Sequence, residues 1–148
     1  MTKQRGSILI KLIALILVFS FVSPCIAFAT ASGTIQPYAS KYLSLYNTYI
    51  ADMGNGDIQI WFEVMGTDDM DEIGTLSIDL YEVNANGSLT FVKSFLHENN
   101  DSMLSYNDWY HYSYVSYQGS SSKTYKAYVC IWAGKNGSGD TRYMWATE

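Results

Sequence analysis

Residues 124–134, TYKAYVCIWAG, hold the longest clean alternation in the sequence. Tyr125, Ala127, Val129, Ile131 and Ala133 fall on one face; Lys126, Tyr128, Cys130 and Trp132 fall on the other. A period of two carried by β-branched and aromatic residues specifies a strand. Both faces are apolar beyond the first residues, which places this strand inside a sheet rather than at its edge.

The flanking sequence extends the same pattern. Residues 57–65 put Ile58, Ile60, Phe62 and Val64 inward, and residues 75–83 do the same with Leu76, Ile78 and Leu80. Residues 88–96, 109–117 and 141–147 also alternate, with Gly and Asn between the runs at intervals of about ten residues. Residues 40–53 carry two patterns. Tyr38, Tyr42, Tyr46, Tyr49 and Ile50 repeat at helical spacing, while Leu43, Leu45, Asn47 and Tyr49 alternate. The turn Gly54-Asn55-Gly56 that follows favours a strand entering a hairpin. Seven strands result, with loops expected at residues 66–74 (GTDDMDEIG) and 134–140 (GKNGSGD) and a polar connection at residues 97–105. The expected fold is all-β: a seven-stranded antiparallel immunoglobulin-like sandwich over residues 40–148, with a small antiparallel barrel as the alternative.

Residues 1–29 have the form of an export signal. Lys3, Arg5 and Lys11 give a basic start, residues 12–21 (LIALILVFSF) are unbroken apolar, and Ala27-Phe28-Ala29 supplies small residues for cleavage after Ala29. A second cleavage candidate is Ala29-Thr30-Ala31. An uncleaved membrane anchor is the alternative, although Pro24 and the Ala-x-Ala site argue against it. Pro24 directly before Cys25 also argues against a lipid-modified cysteine. Residues 30–39 form a linker. Cleavage leaves 119 of the 148 residues, enough for one domain and too few for two.

The signal takes three of the 9 basic residues and none of the 14 acidic ones, so 6 face 14 and the mature net charge is −8. That balance argues against nucleic acid or anionic membrane as a partner, since both need clustered Lys and Arg, and leaves the membrane only to an uncleaved signal segment. Of the 2 cysteines only Cys130 remains, so no internal disulfide forms and a hydrophobic core must hold the domain. Cys130, on an interior strand, is expected to be a buried free thiol.

Thr67-Asp68-Asp69-Met70-Asp71-Glu72-Ile73-Gly74, with Ile78 and Tyr81-Glu82, resembles a family of short uncharacterised exported proteins of Gram-positive bacteria. So do Val92-Lys93-Ser94-Phe95, His111 with Val115, Tyr117 and Gly119, and Tyr125-Lys126-Ala127. The resemblance implies an extracellular location and a fold, and no chemistry. Tyr125-x-Ala127-x-Val129 is also similar to the late strand of fibronectin type III and immunoglobulin domains. There a tyrosine near the strand start bonds back to nearby backbone, which would give Tyr125 a corner role. The Cys…Trp…Cys core of antibody domains is absent.

Three groups are candidate sites. Asp68, Asp69, Asp71 and Glu72 place four carboxylates within five residues, a density suited to calcium, and Asp140 or carbonyls of the 134–140 loop would complete a site at the same end of a sandwich. The spacing fails the EF-hand pattern, and a solvated acidic loop is the plainer reading. Tyr110, Tyr112 and Tyr114 form a stripe, with Trp109, His111, Ser113 and Val115 on the opposite face; such a stripe binds sugar rings or a protein, or pairs across strands. Trp61, Tyr128, Trp132, Tyr143 and Trp145 either extend that face or belong to the core.

Catalysis is poorly supported. His97, His111 and Cys130 are too few for a zinc site, there is no Gly-x-Ser-x-Gly elbow or phosphate-cradling loop, and Glu63 with Glu82 fits surface carboxylates better than an acid–base pair. His111 is expected to be a hydrogen-bonded sheet histidine. The expectation is therefore a secreted, non-catalytic binding module for cell-wall glycan or a surface protein, without cofactor. A secreted bacteriocin-like antagonist and a structural, oligomerising surface protein are the alternatives.

Overall fold

A computed structural model describes residues 40–148. The export signal, its cleavage sites, Cys25 and the linker at residues 30–39 lie outside the described residues. Six strands follow in chain order: β1 (Leu43–Gly54), β2 (Asp57–Val83), β3 (Leu89–Leu96), β4 (Leu104–Gln118), β5 (Thr124–Lys135) and β6 (Ser138–Thr147). Two single turns of 3-10 helix, His97–Asn99 and Asp101–Met103, join β3 to β4. Strand takes 77% of the described residues and no α-helix occurs among them, so the class is all-β. No described helix is long and apolar enough to cross a membrane.

The strand count corrects the expectation of seven. Residues 57–65, the acidic stretch and residues 75–83 are one strand, β2, of 27 residues. The acidic stretch looked like a loop because its polar residues dominate, but Met70 and Ile73 within it are fully buried. They continue the inward face while Asp68, Asp69 and Asp71 stay exposed. Between Met65↔Tyr110 and Met70↔Asp108, β2 advances five residues against two on β4. Such a bulge bends a strand without ending it.

β2 organises every pairing but one. Its first half pairs β1 from Asp57 to Gly66 and β4 from Asp57 onward; its second half pairs β5 from Glu72 and β3 from Ser77. β6 then adds to β5. All six strands thus belong to one antiparallel sheet that curls into a half-barrel. The curl brings the ends of the sheet together: Asp140 on β6 accepts hydrogen bonds from the Ser40 hydroxyl and, at 3.2 Å, from Tyr42 N–H.

Two Asn-Gly turns are tight, the expected one at residues 54–56 and a second inside the expected 134–140 loop. Asn55 (φ 56°) with Gly56 (φ 81°), and Asn136 (φ 54°) with Gly137 (φ 72°), both take the left-handed conformation that matches hairpin twist. Because Lys135 pairs with Ser138, the 134–140 segment is a two-residue turn and not a long loop. Of residues 40–53, those from Leu43 onward resolve as strand, with Tyr46, Thr48 and Ile50 buried.

The core lines the inside of the curl. On β5, the five residues from Tyr125 to Ala133 on the inner face are each at most 4% exposed, and the strand has β2 and β6 on its two edges. Ile60, Phe62 and Val64 of β2 meet them from the other half of the sheet. Tyr125 also fixes the preceding turn: its hydroxyl accepts a hydrogen bond from Ser120 N–H at 3.0 Å. One core group is unsatisfied. Thr75 is fully buried and its hydroxyl has no partner among the described residues. Replacing it by an isosteric methyl removes an uncompensated desolvation cost, so Thr75→Val is expected to raise stability by about 1 kcal/mol in urea unfolding. Unchanged or lower stability would contradict this.

Candidate functional site

Beyond the bend of β2, a row of paired residues runs across four strands. The register sets Tyr106 of β4 opposite Glu72 of β2, Glu72 opposite Gly134 of β5, and Gly134 opposite Gly139 of β6. Trp132, two residues before Gly134 on the same face, lays its indole along this row. A methyl group at Gly134 would come within 2.6 Å of the ring's Cζ2, and one at Gly139 would overlap its Cη2. Only residues without a side chain leave room for the indole there. Its Nε1–H donates to Glu72 Oε2 at 3.1 Å, which fixes the ring's orientation.

Beside this ring lies a cleft of about 250 Å³ lined by Trp132, Tyr106, Asp71, Glu72, Lys135 and the β5–β6 turn. Tyr106 stands 60% exposed on its rim. Drug-sized pockets occupy about 300–1,000 Å³, so this cleft suits a single ring or a chain end. An aromatic face with hydrogen-bonding groups around it is the usual pairing for a ligand that is apolar on one side and polar at its edge.

Two of the predicted calcium ligands are held by the β5–β6 turn. Asp68 pairs with Lys135 at 2.6 Å, and Asp71 Oδ2 accepts from Asn136 N–H at 2.6 Å. The Lys135 hydrogen bond holds the Asp68 carboxyl below its usual range, and the Asp68 bond raises Lys135 in turn. The acidic segment and the β5–β6 turn do meet, as expected from their shared end. Asp140 does not join them, because Ser40 and Tyr42 occupy it. No group of three or more His, Cys, Asp or Glu among the described residues is arranged to hold a metal ion.

The tyrosine stripe serves mainly to bind strands to each other. Trp61 of β2 packs against Tyr112 (4.9 Å between centroids), Tyr114 (4.5 Å) and, nearly parallel, Tyr49 of β1 (6.3 Å). Tyr110 Oη donates to Glu63 at 3.1 Å, and the Tyr49 and Tyr112 hydroxyls share a 2.9 Å hydrogen bond. Trp109, expected on the opposite face, is 52% exposed. A second aromatic group on β2, β3, β5 and β6 comprises Tyr81, Phe91, Tyr128, Tyr143 and Trp145.

Burial first, then the bond to Tyr112, pushes the Tyr49 hydroxyl up from 10.0 to about 12. A raised folded value means stability is fully present below the unfolded value and is lost as pH rises through the folded one. The domain is therefore expected to weaken between pH 10 and about 12. In a spectroscopic tyrosinate titration, Tyr49→Phe should remove a late-titrating step; an unaltered profile would refute the assignment.

The remaining candidate reactive groups are buried or hydrogen-bonded. Cys130 is a free, buried thiol, pushed up by burial and so shifted away from the nucleophilic thiolate. His111 Nε2–H donates to the Ser102 carbonyl at 2.8 Å. Glu63 is bonded to Tyr110 on the first half of β2 and Glu82 is bonded to Lys123 on the second half. Sequence reasoning named Trp132 only as a possible extension of the tyrosine face and missed Tyr106. The two glycines flanking the Asn136-Gly137 turn were the available sign that a ring lies there.

The class defined by fold and site is a curled antiparallel sheet with an aromatic cleft on its outer surface. No protein-family model, curated protein or solved structure matches the chain.

Proposed function

We propose that this protein is an exported, non-catalytic binding module that takes one sugar ring of a cell-wall glycan in the cleft beside Trp132. The observation that carries the reading is the indole resting on Gly134 and Gly139, fixed by Glu72, beside a cleft that Tyr106 also lines. Sugar rings stack their apolar face on such an aromatic and bond their hydroxyls to carboxylates at its edge. Export and an immunoglobulin-like relationship belong to the same reading. The basic start and apolar run of residues 1–29 support the first, and the Tyr125 hydroxyl bonded to Ser120 N–H supports the second.

The test is co-sedimentation of the purified protein with insoluble cell-wall glycan. Trp132→Ala is expected to weaken binding at least tenfold, about 1.4 kcal/mol, and Tyr106→Ala by less. Tyr112→Ala, in the stripe, should leave binding unchanged. Undiminished binding by a folded Trp132→Ala protein would overturn the proposal.

A further inference from the structure

We infer that the sugar in this cleft carries a positive charge: an amino sugar with a free ammonium group. The inference rests on the glycan reading above and goes one step further, to the chemical class of the ring.

The cleft joins two features that favour a cation. The first is its aromatic lining, since a cation near the face of Trp or Tyr is attracted by the ring's negative face. Trp132 and Tyr106 both line the space. The second is uncompensated negative charge in the same space. Asp71 and Glu72 line it with Lys135, but Lys135 is engaged with Asp68 at 2.6 Å. Each lining carboxylate uses one oxygen internally: Asp71 Oδ2 for Asn136 N–H and Glu72 Oε2 for the indole N–H. Among the described residues, the second oxygen of each accepts no hydrogen bond, so both remain available to a ligand donor.

A neutral sugar offers only uncharged donors, hydroxyls and, when N-acetylated, an amide N–H, to these oxygens. A phosphate or carboxylate would be repelled by them. An ammonium supplies charge-assisted hydrogen bonds, which are roughly twice as strong as neutral ones, and it places its charge beside the ring faces. The carboxylates would be weak evidence without the aromatic surface, as would the aromatic surface without the carboxylates. Their juxtaposition in one cleft selects the ligand.

The experiment is calorimetric titration of the full-length chain with a glucosamine trimer and with its fully N-acetylated counterpart, at a pH where the amine is protonated. The glucosamine trimer is expected to bind at least tenfold more tightly. Glu72→Gln, which keeps an acceptor for the indole N–H, and Asp71→Asn should each reduce that preference several-fold while circular dichroism stays unchanged. Raised salt should weaken the glucosamine trimer selectively. Equal affinity for the two trimers overturns the charge inference and leaves the glycan reading standing. Binding of neither trimer, with the wild-type protein folded, overturns both.

Discussion

Gly74→Ala is expected to destabilise the domain by about 2–6 kcal/mol, from backbone strain of about 1–3 and overpacking of about 1–3 kcal/mol. Gly74 sits where β2 leaves its bend, at φ 144°, a conformation that residues with a side chain rarely adopt. A methyl group there would overlap the Met103 carbonyl oxygen and come within 2.9 Å of the His111 ring and 3.1 Å of the Leu104 α-carbon. Two of these three obstacles are backbone atoms, which cannot turn aside as a flexible side chain does. Gly87→Ala is the control. Gly87 also has a positive φ, 80°, but nothing lies within 4 Å of the position a methyl group would take. It should therefore show the strain alone. Urea unfolding of the two variants separates the contributions, and equal losses would refute the claim that backbone packs tightly around the bend.

Phe62→Ala is the second large effect, at about 3–5 kcal/mol. Phe62 is fully buried on the first half of β2, between Thr48 of β1 and Ser113 of β4 in the register. Both cross-strand neighbours are small, so neither can fill the space a deleted ring leaves. The His111 ring, 5.6 Å away between centroids, is held by its bond to the Ser102 carbonyl. Relaxation into the cavity is restricted on these sides, which puts the cost toward the upper end of the range. Against the roughly 5–15 kcal/mol that a domain has in total, either substitution removes a large share. A loss below about 1.5 kcal/mol for Phe62→Ala would show that the sheet collapses to fill the gap.

Legibility in the sequence followed the range of the interaction concerned. The β5 alternation and the Asn-Gly turns are properties of a few consecutive residues, and residues 125–133, Asn55-Gly56 and Asn136-Gly137 stand where that local pattern puts them. The acidic stretch misled because loop and bulged strand share a composition. Met70 and Ile73 marked the inward face there, but two apolar residues among four carboxylates are a thin signal. The tyrosine stripe was visible, whereas Trp61, which packs on Tyr112 and Tyr114, and Tyr49, which bonds the Tyr112 hydroxyl, lie on other strands. For the cleft, Tyr106 and Trp132 are far apart in sequence and meet only through Glu72 of β2, which pairs with Tyr106 in the register and accepts the Trp132 indole N–H.

The sequence by itself determined that this chain forms antiparallel strands, which residues of β5 face inward, and where two hairpins turn. Each of these depends on side-chain period and backbone preference over short spans. The tertiary structure alone decided that two expected strands are one, that the sheet curls into a half-barrel, and that Trp132 lies on Gly134 and Gly139 beside Tyr106. Those outcomes depend on register between strands, and register is set by how all the inward faces pack at once.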